Sequence, residues 1–151
     1  EVKNSYKFIA VRDSNILNKL YSGSRFKRLA FYENNCLIGW AVVLNTKMDN
    51  HKQFGNMRVG SIVDCLASPE KCSNIINSAT LFLRKCKVDI IVSNHSHKSW
   101  NRAFNNNGYL EGPSNYLFAA SKELAKEIKP FQSNKNEVFF MRGDGDGPIN
   151  L

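Results

Sequence analysis

Apolar residues change their spacing within one segment of this chain, "IVDCLASPEKCSNIINSATLFL" (62–83). Up to Leu66 they run almost unbroken, as in a strand buried on both faces. Beyond Pro69, the residues Ile75, Ile76, Ala79, Phe82, Leu83 and Cys86 fall at i, i+1, i+4, i+7, i+8 and i+11. That is the stripe of a helix laid on a sheet. The pattern predicts a strand over 57–66 that feeds a helix, then a compact buried strand, "VDIIV" (88–92). A strand-helix-strand unit over 57–92 implies a right-handed parallel crossover.

The same reading places a short strand at "YKFIAV" (6–11) and an N-cap at Asp13. The capped helix carries Ile16, Leu17 and Leu20 and ends near Gly23. "RLAFYE" (28–33), "NN" (34–35) and "CLIGWAVVL" (36–44) read as a hairpin, because asparagine tolerates the left-handed backbone of a tight turn. A polar loop covers 46–56. "KSWNRAFNNNGY" (98–109) predicts a helix with Trp100, Ala103 and Phe104 inward and Gly108 as its stop. Strands follow at 115–121 and 137–142, with a helical turn or two in "KELAKEIK" closed by Pro130. The order implies a mixed sheet with helices on its faces, an α/β or α+β domain.

Composition narrows the function. The 151 residues, 42% hydrophobic and 23% charged, suit one folded domain. No apolar run approaches the roughly 20 residues of a membrane span. A net charge of +8 favours anionic ligands, but the bases are scattered, with short clusters only at 25–28 and 84–87. No nucleic-acid motif accompanies them, which disfavours a nucleic-acid partner. Cys36, Cys65, Cys72 and Cys86 form no C-x-x-C pair, which argues against structural zinc and for reduced thiols in a cytoplasmic protein. The tail "DGDG" lacks the remaining ligands of a calcium loop, so no metal site is expected. The chain opens on Glu1 rather than Met, as expected for a piece of a longer protein.

Two places carry candidate chemistry. Asp64 stands among Ile62, Val63, Cys65 and Leu66, where burial would raise a carboxyl pKa toward a useful value. A strand alternation that turns Asp64 toward a polar loop explains it equally well. His95 and His97, at i and i+2 after a strand, share one side if extended and could act as base or phosphate ligand. Ordinary polar loop residues would look the same.

In element order, and in "CLIGWAVV", "VDCLASPE" and "AFNNNGYLEG", the chain from about Arg28 to Arg142 resembles the GNAT superfamily of acyl-CoA-dependent N-acetyltransferases. The closing "RGDGDGPINL" resembles the end of GNAT-type domains in tandem proteins of surface-polysaccharide biosynthesis. The resemblance implies a mixed, mostly antiparallel central sheet with one parallel strand-helix-strand unit and helices on both faces. It implies a single GNAT-like domain over 1–151, with 1–27 an abbreviated N-terminal element, 28–142 the core and 143–151 a flexible tail. A preceding GNAT-like domain would then be missing from this piece.

The resemblance also implies acetyl-CoA or another acyl-CoA as cofactor and an amine on a small molecule or sugar as acceptor. Its pantetheine arm would pair with the strand at Cys65, Leu66 and Ala67. The pyrophosphate would sit at Lys71, Cys72, Ser73 and Asn74, with Asn94 across the gap. Asp64 and His97 are the implied catalytic residues. Counted from Pro69, Cys72, Ile75 and Asn77 replace the polar or basic residue and the two small residues of the family's loop. Ile75 would then block the close approach that glycine permits. Phe104 stands where many relatives carry a tyrosine that protonates the departing thiolate, and it has no proton to give. These departures favour an alternative: a non-catalytic lobe that supports or binds a partner.

Overall fold

A computed structural model describes residues 2–112, 120–130 and 137–145. Most of the strand expected at 115–121 lies outside the described residues. After a single 3₁₀ turn at Val2–Ser5 come β1 (Phe8–Ile9) and α1 (Ser14–Leu20). Asp13 caps α1 as expected, its Oδ1 accepting the Ile16 amide at 2.8 Å. The hairpin is β2 (Lys27–Glu33) and β3 (Cys36–Lys47). Asn34 and Asn35 supply the two positive φ angles, 48° and 62°, that its two-residue turn needs. β3 runs three residues past Leu44, into the expected polar loop, because Asn45, Thr46 and Lys47 all pair with β4 (Arg58–Ala67).

α2 (Cys72–Lys85) then leads to β5 (Ile90–Ser93) and α3 (Lys98–Asn106). The α3 segment closes at Gly108, which has a φ of +80°. The sheet order is β2-β3-β4-β5, antiparallel except for the parallel β4–β5 pair. Val42 pairs with Asp64 and Val43 with Ile62, so Val63 is an extra residue, a bulge that bends β4 midway.

The two sheet faces differ. On one, α2 and α3 pack Ile75, Ile76, Ala79, Leu83, Trp100 and Phe104 against Ala41, Val43, Ile62 and Cys65. Gly39 makes this close seating possible: a Cβ there would lie 2.8 Å from Ile75 Cδ1 and 2.7 Å from the Leu66 carbonyl. On the other face, Tyr21 and Leu17 of the α1 region cover Val42, Leu44 and Val63.

α4 (Lys122–Glu127) is capped by Ser121. The strand expected at 137–142 shortens to β6 (Val138–Phe139), parallel to β1. Chain direction changes after it because Asp144 returns to accept the Met141 amide at 2.8 Å, closing a 3₁₀ turn over Arg142–Asp144. Among the described residues no helix is long and apolar enough to cross a membrane.

Candidate active site at the strand splay

β4 and β5 pair only from Val59↔Ile90 to Ile62↔Ser93. Ser93 Oγ donates to the Ile62 carbonyl at 3.0 Å, and beyond that point the strands part. In the free length of β4, side chains meet backbone groups: Asp64 Oδ1 accepts the Cys65 amide at 2.9 Å, and the Tyr6 hydroxyl donates to the Ala67 carbonyl at 2.6 Å. Trp100 Nε1 donates in turn to Tyr6 Oη at 3.1 Å.

The gap is filled by the chain's own segment from β6 onward. Met141 bridges to His95, the Ser96 amide donates to the Phe140 carbonyl, and Arg142 Nη1 donates to Asn94 Oδ1 at 3.1 Å. From the β4 side, Met141 Sδ lies 4.0 Å from Cys65 Sγ. Gly143 reaches closer still, since a Cβ there would lie 3.6 Å from Asp64 Cβ and 1.9 Å from Tyr21 Oη. Only a residue without a side chain fits.

Asp64 is the centre of this packing. It is buried, and its carboxylate receives Arg12 Nε at 3.0 and 3.2 Å and the Tyr21 hydroxyl at 3.0 Å. Arg12, equally buried, also pairs with Asp144 and lies 4.6 Å from the centre of the Phe139 ring. Burial pushes the Asp64 carboxyl up to about 6, helped by Asp144 and opposed by Arg12. Burial works against the charge on Arg12, but the two carboxylates outweigh it and hold the guanidinium on. Tyr21 is raised by burial and by the Asp64 charge. In this arrangement Asp64 anchors an ion cluster, and its oxygens are occupied by internal donors.

His97 is also buried, with Nδ1 accepting the Ser99 amide at 3.2 Å as the N-cap of α3, and burial lowers its pKa. His95 stacks on Phe104 at 4.3 Å and is pushed down to about 4 by burial. The two histidines therefore serve different neighbours. Phe104 packs between His95 and Tyr109, whose hydroxyl shares a 2.7 Å hydrogen bond with Thr80.

The other half of the site is the start of α2. Lys71 occupies the N-cap without a side-chain cap, and no acidic residue stands in the first turn. The first helical bond runs from the Ile75 amide to the Lys71 carbonyl, so the amides of Cys72, Ser73 and Asn74 have no backbone acceptor among the described residues. Such a terminus attracts an anion. Ile75 is fully buried against the sheet and Asn77 is exposed, so the large residue in the loop register points away from the helix mouth. Cys72 is buried too, its thiol near Tyr6 Oη and raised to about 12 by burial. Lys71 Nζ pairs with Glu33 at 2.6 Å on the surface.

Of the residues that sequence reading selected, the structure gathers Asp64, Cys65, Ala67 and Asn94 around the splay. Lys71, Cys72, Ser73 and Asn74 form the helix mouth. Leu66 pairs across to Trp40 and is partly buried, and His97 sits beside Tyr6 at 4.8 Å between ring centres. Sequence reading missed Arg12, Tyr6, Tyr21 and Asp144. A separate groove of about 460 Å³ between β2 and α2, lined by Arg28, Phe31, Leu81 and Lys85 among others, holds none of these groups.

A parallel strand pair that separates after four residues and opens onto a helix start decides the architecture. The fold is that of the GNAT acetyltransferases. The aminoglycoside 6'-N-acetyltransferase of Acinetobacter haemolyticus matches with a TM-score of 0.53 and 12% identity, over 80% of this chain and 88% of that one. A ribosomal-protein-alanine N-acetyltransferase of Brucella melitensis matches at 0.54 and 10%, over 74% and 81%. An aminoglycoside N-acetyltransferase solved with CoA matches at 0.51 and 10%, over 69% and 82%. No family model matches the sequence, and no curated protein does so.

Proposed function

We propose that this domain serves acyl-CoA-dependent N-acylation of a primary amine on a small molecule or sugar. The observation that carries the reading is the parting of β4 from β5 beside an uncapped helix start. The GNAT neighbours, two of them aminoglycoside acetyltransferases and one solved with CoA, support it at the level of fold.

Bound acetyl-CoA would supply an acyl group activated as a thioester. The amides of Cys72, Ser73 and Asn74, with Lys71, would hold the pyrophosphate. Backbone groups of Cys65, Leu66 and Ala67 would hold the amide-rich arm, with Asn94 opposite. Asp64 or His97 would take the proton released by the attacking amine, and for Asp64 this requires that Arg12 and Tyr21 first give up its oxygens. The residues at the helix mouth fit such a ligand. Those at the splay fit it once the Met141–Asp144 segment moves.

A second reading is a non-catalytic GNAT-like lobe that supports a partner domain. It is favoured by the filled splay and by Phe104, which offers no proton to a leaving thiolate. Calorimetric titration with acetyl-CoA, followed by thiol-release assays against a panel of amino sugars, separates the two. The enzyme reading expects saturable binding tighter than about 1 mM, near −4 kcal/mol, and release of free CoA with at least one amine. Absence of binding at millimolar ligand selects the lobe.

A further inference from the structure

The geometry points to the segment Met141–Asp144 as a displaceable latch that occupies the pantetheine-binding part of the splay, and this inference rests on the acyl-CoA reading above. The segment lies where β4 and β5 diverge. It is tied to the β5 side by the Met141 bridge to His95 and by Arg142 to Asn94, and to the β4 side by Met141 on Cys65 and Gly143 on Asp64.

The manner of attachment is what makes it a latch rather than a strand of the sheet. Among the described residues, no backbone hydrogen bond joins Val63–Ala67 to Met141–Asp144. The free length of β4 is met by side chains instead, at Cys65 and Ala67. Toward β4 the segment therefore holds by packing and by one charged tie, Arg12 between Asp64 and Asp144, while its backbone bridge is made to His95 on the β5 side. An extended, amide-rich ligand could pair with β4 in its place at the cost of the Met141–His95 bridge, leaving the β3–β4 and β4–β5 pairings intact. The helix mouth, by contrast, is already open. The open site would be completed by withdrawal of one short turn.

A ligand that needs a fractionally populated open state binds with its affinity reduced by that fraction. Loosening the tie should therefore tighten acetyl-CoA binding, and locking it should abolish binding. Asp144→Asn weakens the tie to Arg12 and to the Met141 amide, and should lower the acetyl-CoA Kd on the order of tenfold. Met141→Cys, in a chain with Cys36→Ser and Cys86→Ser, places a thiol beside Cys65. Oxidation should lock the segment and remove binding, and reduction should restore it.

Both variants are compared with the wild type by calorimetry after a thermal melt shows each is folded. If Asp144→Asn fails that check, the oxidised and reduced forms of the Met141→Cys chain decide alone. Equal Kd values in all folded forms would overturn the latch and leave the acyl-CoA reading standing. No binding in any form, at millimolar ligand, would overturn both.

Discussion

The two halves of the candidate site contrast in what already occupies them. At the start of α2 the amides of Cys72, Ser73 and Asn74 lack backbone acceptors among the described residues. No acid stands in the first turn, although Glu70 precedes it and Lys71 pairs with Glu33. At the β4–β5 splay, the Met141–Asp144 segment packs into the gap around the Arg12–Asp64–Asp144 ion cluster. The first is a helix start held by an apolar core behind it, the proposed pyrophosphate site. The second, the proposed place for the extended arm, is filled by the protein itself. On the proposed function an acyl-CoA molecule would use both, so its affinity would be set by the half that has to change.

The largest expected effect breaks the filled half. Arg12→Ala leaves the buried Asp64 and the partly buried Asp144 without their cation, a loss of about 3–5 kcal/mol, read as a lower urea midpoint at neutral pH. A loss under about 1 kcal/mol would mean that water already reaches the cluster and the contrast between the halves is false.

An acid titration sharpens the same side. Native His95 stays neutral down to about 4, whereas the unfolded chain takes up that proton from 6.5 downward. Stability from this group is thus complete above 6.5 and falls as the pH drops toward 4, by roughly 3 kcal/mol in all. His95→Phe keeps a ring on Phe104 and removes the titration. Its stability relative to wild type should therefore rise as the pH drops from 6.5 to 4. A constant difference across that window would contradict the assignment.

The helix half can be strained from behind. Gly39→Ala puts a methyl group against Ile75 and the Leu66 carbonyl and should cost about 1–3 kcal/mol, measured by thermal unfolding. A neutral result would show that α2 shifts freely on the sheet. The smallest effect is electrostatic: Lys71→Glu at the mouth should weaken acetyl-CoA binding by about two- to fivefold, or 0.3–1 kcal/mol, and less in high salt. An unchanged affinity would take the pyrophosphate away from this helix.

Most of the fold was legible because its signals are local. The stripe from Ile75 to Leu83, the Asp13 cap and the Asn34–Asn35 turn each depend on neighbours within a few residues, and each forms as read. The sequence named residues that gather at the splay and the start of α2, but not what fills the splay. Counting along the loop made Ile75 an obstruction, whereas the helix turns it onto Gly39 and away from the mouth. Asp64 stood out by its apolar setting, yet its partners Arg12, Tyr21 and Asp144 lie 52, 43 and 80 residues away, beyond the reach of periodicity. Arg142–Asp144 form a 3₁₀ turn, and nothing local in the sequence says that this turn packs beside β4.

The most direct measurement is an amide NMR titration of the wild-type domain with acetyl-CoA. The account predicts that the Cys72, Ser73 and Asn74 amides and the Arg142, Gly143 and Asp144 amides shift together, with one common Kd. Shifts confined to other surfaces, or a domain that leaves both sets unmoved at millimolar ligand, would contradict it.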